Sequence, residues 1–105
     1  MTDESREKIK EVTDKIVREF NPEKVILFGS HAWGKPTQDS DVDFFIIKDV
    51  ENTREFASLI DGAIFPRPFP MDVVVYKPEQ VAKSESEGDF FIKDILSNGK
   101  VLYAR

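Results

Sequence analysis

The stretch from Val25 to Phe45 constrains the fold more than any other part of the chain. The run Val25-Ile26-Leu27-Phe28 has the β-branched and aliphatic character of a buried strand, and it stops abruptly at Gly29-Ser30, as a strand does when it hands over to a tight turn. Glycine lets a ligand approach the backbone closely. Ser30 can cap a short helix and leave its first amides, with their partial positive charge, facing an anion such as a phosphate. Beyond a short polar loop, Ser40-Asp41-Val42-Asp43-Phe44-Phe45 leads into a second strand-like run, Asp41 to Lys48. Residues two apart in a strand share a face, so the Asp41 and Asp43 carboxylates project together from Cα atoms about 7 Å apart. Two carboxylates beside a phosphate-binding turn suit a hard divalent cation, most simply Mg²⁺ carrying a nucleotide's phosphates.

The remaining elements follow from periodicity and punctuation. Ile9, Val12, Ile16 and Phe20 recur at helical spacing between Asp3 and Phe20, and this stripe reads as core packing. Asn21-Pro22 ends that helix. Lys24 to Phe28 is the first strand, Ser30 to about Gly34 a turn or short helix, and Lys35 to Asp39 an exposed loop. The second strand, Asp41 to Lys48, is apolar on both parities after its acids, as expected of a central strand covered on two sides. Glu51 to about Asp61 is a helix through Phe56, Leu59 and Ile60, with Gly62 as its stop.

Ile64-Phe65-Pro66-Arg67-Pro68-Phe69-Pro70 holds three of the six prolines and can form neither a helix nor a central strand. It reads as an extended connector packed by its aromatics, or else as a rim or docking surface. Met71 to Tyr76 is the third strand. Asp72 opens this otherwise apolar run, an expensive place for a charge without a partner. If the strand lies beside Asp41 to Lys48, Asp72 completes a three-carboxylate cluster. Pro78 to about Ser86 reads as a helix, Asp89 as the cap of another through Ser97, and Lys100 to Ala104 as a short edge strand or a tail against the core. Together these make one α/β (α+β) domain over residues 1–105, a small mixed sheet of about three to four strands flanked by helices.

Composition narrows the function classes. The 105 residues suit one domain, and 40% hydrophobic content with nine Phe is enough for a single core. With no cysteine there is neither a disulfide framework nor a thiolate metal site, which agrees with a cytoplasmic setting. The charged start, Met1 to Arg6, leads into an amphipathic pattern rather than the apolar core of a signal peptide, and no apolar run approaches a membrane span. Twenty acidic against fifteen basic residues give a net charge of −5. A protein that grips nucleic acid through its phosphates carries a basic surface, so a free nucleotide or a protein surface suits this chain better than a long duplex.

Gly29-Ser30, then Gly34, then Ser40-Asp41-x-Asp43 after a spacer resembles the signature of the polymerase-β-like nucleotidyltransferase superfamily. At this length the chain is similar to the minimal nucleotidyltransferases, small single-domain proteins often encoded beside a HEPN-domain partner. The resemblance runs from the first strand to about Tyr76 and implies the polymerase-β-like fold. It implies an enzyme that uses Mg²⁺, two ions, to move a nucleoside monophosphate, AMP from ATP in the first instance, onto a hydroxyl. By resemblance Asp41 and Asp43 ligate metal, and Asp72 helps bind the catalytic metal and can act as base. Gly29 and Ser30 hold the β- and γ-phosphates, and Ser40 orients the loop or a carboxylate.

The implied acceptor is a tyrosine of a HEPN toxin, which the transferase silences as its antitoxin. Minimal members commonly carry an arginine just before the second glycine, where this chain has Trp33; the indole either packs against the first helix or stacks on a base. His31 and Lys35 are nearby cations that could replace the arginine. Larger aminoglycoside-modifying relatives add an acceptor-binding domain for which 105 residues leave no room, so the acceptor is expected on another chain. Two other functions remain open: an antitoxin that neutralises its partner by contact alone, and transfer to a small molecule. The exposed edge strand and the Pro-Phe segment leave homodimer formation or partner binding open.

Overall fold

The computed structural model describes residues 3–34 and 41–105. Helix α1 (Asp3–Phe20) is followed by β1 (Lys24–Phe28), the single-turn α2 (Ser30–Trp33), β2 (Val42–Ile47), α3 (Thr53–Ala63), β3 (Met71–Tyr76), α4 (Pro78–Ser86), α5 (Phe90–Asn98) and β4 (Lys100–Ala104). The four strands form one mixed sheet in the order β3-β2-β1-β4. β1 runs antiparallel to both β2 and β4, while β2 and β3 run parallel. This is a mixed α/β sheet flanked by helices, as the sequence predicts.

Local chemistry accounts for the boundaries. α1 ends where Asn21 takes a left-handed conformation, φ 49°, and its amide still reaches the Val17 carbonyl at 3.0 Å; proline then cannot continue the helix. Asn52 caps α3 by accepting from the Glu55 amide at 3.0 Å. Asp89 caps α5 as expected, accepting from the amides of Phe91 at 2.9 Å and Ile92 at 3.3 Å. α3 continues through Gly62 to Ala63, because Ile60 and Ile64 both bury and one exposed glycine costs a helix only about 1 kcal/mol.

Strand alternation divides the core into two layers. Val25 and Leu27 of β1, Val42, Phe44 and Ile46 of β2, and Met71 and Val75 of β3 pack with Ile9, Val12 and Ile16 of α1 and Ile60 of α3. On the opposite face Ile26, Phe28, Phe45 and Ile47 meet Ile92 and Ile95 of α5, with Val81 of α4 at the margin. β2 is thus buried on both sides, as its doubly apolar pattern required. Residue 99 must be glycine for a spatial reason: a Cβ there would collide with the Ile95 carbonyl and the Ile26 methyl, where the chain turns from α5 into β4. The Pro-Phe connector is packed by only one of its aromatics. Phe69 lies against Phe44 with ring centroids 6.4 Å apart, whereas Phe65 is exposed.

Candidate active site

Asp43 is the second residue of β2, on the parity of Phe45 and Ile47, and therefore points to the α5 side of the sheet. Its register partners are Phe28 on β1 and Asp72 on β3. Side chains in register across neighbouring strands lie on one face about 5 Å apart. A row consequently crosses the sheet: Asp72, Asp43, Phe28. Asp41 stands just before β2, exposed, on the same parity as Asp43. The parallel pairing of β2 with β3 brings Asp72 to the pair, as the third-strand reading required.

Electrostatics express that proximity. The Asp43 carboxyl is pushed above its ordinary pKa of 3.8, first by burial, then by the neighbouring Asp72 and Asp41 charges, with His31 partly offsetting them. Like charges held together resist ionisation unless a cation joins them. Among the described residues, no three His, Asp or Glu side chains are already gathered as ligands of one ion. The donor set is nevertheless all carboxylate oxygen, which suits a hard cation such as Mg²⁺.

The Gly29 turn completes this end of the sheet. Gly29 sits at the N-terminal boundary of α2 with φ 77°, a conformation that disfavours any side chain. Space makes the same demand, since a Cβ at position 29 would collide with Oδ2 of Asp43. The turn backbone therefore lies directly against the carboxylate. The capping expectation for Ser30 is corrected here: Gly29 is the boundary residue, Ser30 is the first residue of the helix, and no side-chain hydrogen bond caps it. The amides of Ala32 and Trp33 turn back to the Gly29 carbonyl at 3.0 and 3.1 Å, so any anion contact falls to the amides that precede them. Ser40 and Lys35 lie outside the described residues.

Phe28, Trp33 and Arg67 have places near this row that the local sequence does not give. Phe28 lies edge-on to Phe91 of α5 at 5.7 Å and carries the Trp33 ring at 6.4 Å. Trp33 thus packs on Phe28 of β1. On the other side of the row, Arg67 pairs with Asp61, and both line a cavity of about 250 Å³ with Ser58, Met71 and Asp72. Arg67 is the lone charge in the Pro-Phe segment, which was the available signal; its placement beside Asp72 depends on the tertiary path of the connector.

The family model for polymerase beta nucleotidyltransferases matches residues 7–105. The chain belongs to this family. The match takes in both Asp strands and the Gly29 turn, and it extends well beyond the short motif to nearly the whole chain. A search of curated proteins returned no match.

Solved structures share the nucleotidyltransferase fold at low identity. A proposed nucleotidyltransferase from Sulfolobus solfataricus aligns with a TM-score of 0.64 at 19% identity, over 94% of this chain and 79% of that one. A mutant of the toxin-antitoxin MntA-HpeT aligns at 0.58 with 18% identity, over 91% of this chain and 73% of the other. A toxin-antitoxin structure with AMP-PNP aligns at 0.59 with 20% identity, over the same shares. At these identities the likeness is one of fold. No helix among the described residues is long and apolar enough to cross a membrane.

Proposed function

We propose that this nucleotidyltransferase moves a nucleoside monophosphate, AMP from ATP in the first instance, onto a hydroxyl of a partner protein in the cytoplasm. The proposed acceptor is a tyrosine of a HEPN-domain toxin, which makes the chain an antitoxin. The observation that carries the reading is the register row that sets Asp72 beside Asp43, with the Gly29 backbone closed against the Asp43 carboxylate. A purely structural strand end has no reason to hold three acids within electrostatic reach of one another. That the fold is shared with a toxin-antitoxin, and with a toxin-antitoxin structure holding AMP-PNP, supports both the partner class and the nucleotide.

Asp41, Asp43 and Asp72 would hold the divalent cations. Mg²⁺ bound there supplies charge neutralisation for the triphosphate and the leaving pyrophosphate. Asp43, raised in pKa first by burial and then by the Asp72 and Asp41 charges, is a carboxylate that a bound cation would return to its ionised form. Gly29 lets the turn backbone close on the Asp43 carboxylate, which sets the turn beside the cations and their phosphates, and Ser30 offers a hydroxyl and an amide to the β- and γ-phosphates. Ser40 orients the loop or a carboxylate. The acceptor oxygen attacks the α-phosphorus, the bond from that phosphorus to the α,β-bridging oxygen breaks, and pyrophosphate leaves. Asp72, exposed on the edge strand, takes the hydroxyl proton on a carboxylate oxygen.

The test is incubation of the chain with α-labelled ATP and Mg²⁺, with and without its HEPN partner, read by intact mass. AMP units should appear on the partner with wild-type chain and be absent with Asp43→Asn. If no nucleotide is transferred while both forms still capture the partner, the chain is an antitoxin that acts by contact. Labelling of a small hydroxylated acceptor in place of the protein would move it to the small-molecule transferases.

A further inference from the structure

The carboxylate row does not end at Asp43. Its next member is Phe28, and two aromatic side chains stand on Phe28 with much of their surface in solvent. Trp33 is 47% exposed and Phe91 43% exposed, with ring centroids 6.4 Å and 5.7 Å from that of Phe28. Trp33 leaves the chain four residues after Gly29, the residue whose backbone touches Asp43. One strand spacing of about 5 Å and one ring contact of 6.4 Å separate the indole from the Asp43 strand. The indole is therefore within the reach of one nucleotide whose phosphates sit at the carboxylates.

We propose that Trp33, seated on Phe28 beside Phe91, is the platform on which the base of the bound nucleoside triphosphate stacks. The inference rests on the reading of the carboxylate row as a nucleotide site and assigns the base end of that nucleotide. An indole offers its π face to any base, and stacking needs no hydrogen-bond pattern. The platform therefore favours the larger surface of a purine while discriminating weakly between adenine and guanine. Position also separates this surface from ordinary exposed apolar residues. Phe65 is exposed as well, but it lies in the Pro-Phe connector, whereas Trp33 and Phe91 meet on the residue in register with Asp43.

Trp33 is the single tryptophan of the chain, so its fluorescence reports this contact directly. The full chain is titrated with ATP and Mg²⁺, and separately with tripolyphosphate and Mg²⁺, which has phosphates but no base. Binding is measured in parallel by calorimetry. ATP should quench the emission and tripolyphosphate should not. Trp33→Ala should weaken ATP binding about tenfold and leave tripolyphosphate binding as in wild type, while Trp33→Phe, which keeps a π face, should restore most of the loss. Calorimetric binding of ATP without quenching, or undiminished ATP binding by Trp33→Ala, overturns the inference. Quenching by the partner protein and not by ATP also overturns it and assigns the surface to docking. If neither ATP nor tripolyphosphate binds, the nucleotide-site reading fails and the stacking platform falls with it.

Discussion

The two faces of the sheet are built from the same strands yet are finished differently. On the α1 and α3 side, Val42, Phe44 and Ile46 of β2 are covered along their whole length. On the α5 side, Phe45 and Ile47 are equally buried, but cover runs out toward the start of β2, where Asp43, Asp72 and the exposed faces of Trp33 and Phe91 emerge. Burial is energetically favourable for apolar groups and costly for charges. A closed face is therefore free to be apolar, and the strand end that holds acids must be left open. One strand serves both purposes because its side chains alternate.

The comparison can be broken most severely at Phe44. Phe44→Ala empties a fully buried position on the closed face and should cost about 3–5 kcal/mol in denaturant unfolding; Phe91→Ala, at the rim of the open face, should cost well under half as much. Equal losses would show that the two faces are not finished differently. Asp43→Asn should lower nucleotidyl transfer by about 10²–10³-fold with little change in the unfolding midpoint, since it removes charge and keeps shape. A large loss of stability would instead make Asp43 a structural residue. Gly29→Ala forces a side chain into a left-handed conformation and against Asp43, and should cost about 1–3 kcal/mol together with a fall in transfer.

The smallest effect is one of pH. Because the folded Asp43 carboxyl has a raised pKa, the native state binds its proton more tightly than the unfolded chain does. Stability without divalent cation should therefore fall as pH rises through the range just above the ordinary value of 3.8. In Asp43→Asn that part of the slope should vanish, and Mg²⁺ should suppress it in wild type by favouring the ionised carboxylate. A wild-type slope identical to that of the variant would remove the electrostatic coupling from the account.

Much of this was legible before any coordinates. Asp89 as a cap, Asn21-Pro22 as a helix end and the β2 pattern of a twice-covered strand all rest on chemistry within a few residues. The same local character made Gly29 and the Asp41-x-Asp43 pair conspicuous. Ser30 is not the cap that its residue type suggests: a glycine at the boundary leaves no side-chain signal, and the helix turns back on the Gly29 carbonyl instead. Trp33 could not be placed from its neighbours in sequence, since its packing partner Phe28 was one of several apolar surfaces within reach.

The sequence by itself determined where strands and helices run, which residues face inward, and which acids and glycine were candidates for chemistry, because periodicity and turn preference act over short stretches of chain. Only the tertiary structure decided that β3 lies parallel to β2 with Asp72 in register with Asp43, that Arg67 reaches the cavity beside Asp72, and that Phe28 carries Trp33 and Phe91. Those are choices among distant partners. An alternating strand specifies its two faces, while its neighbours are settled by the packing of the whole sheet against α1, α3 and α5.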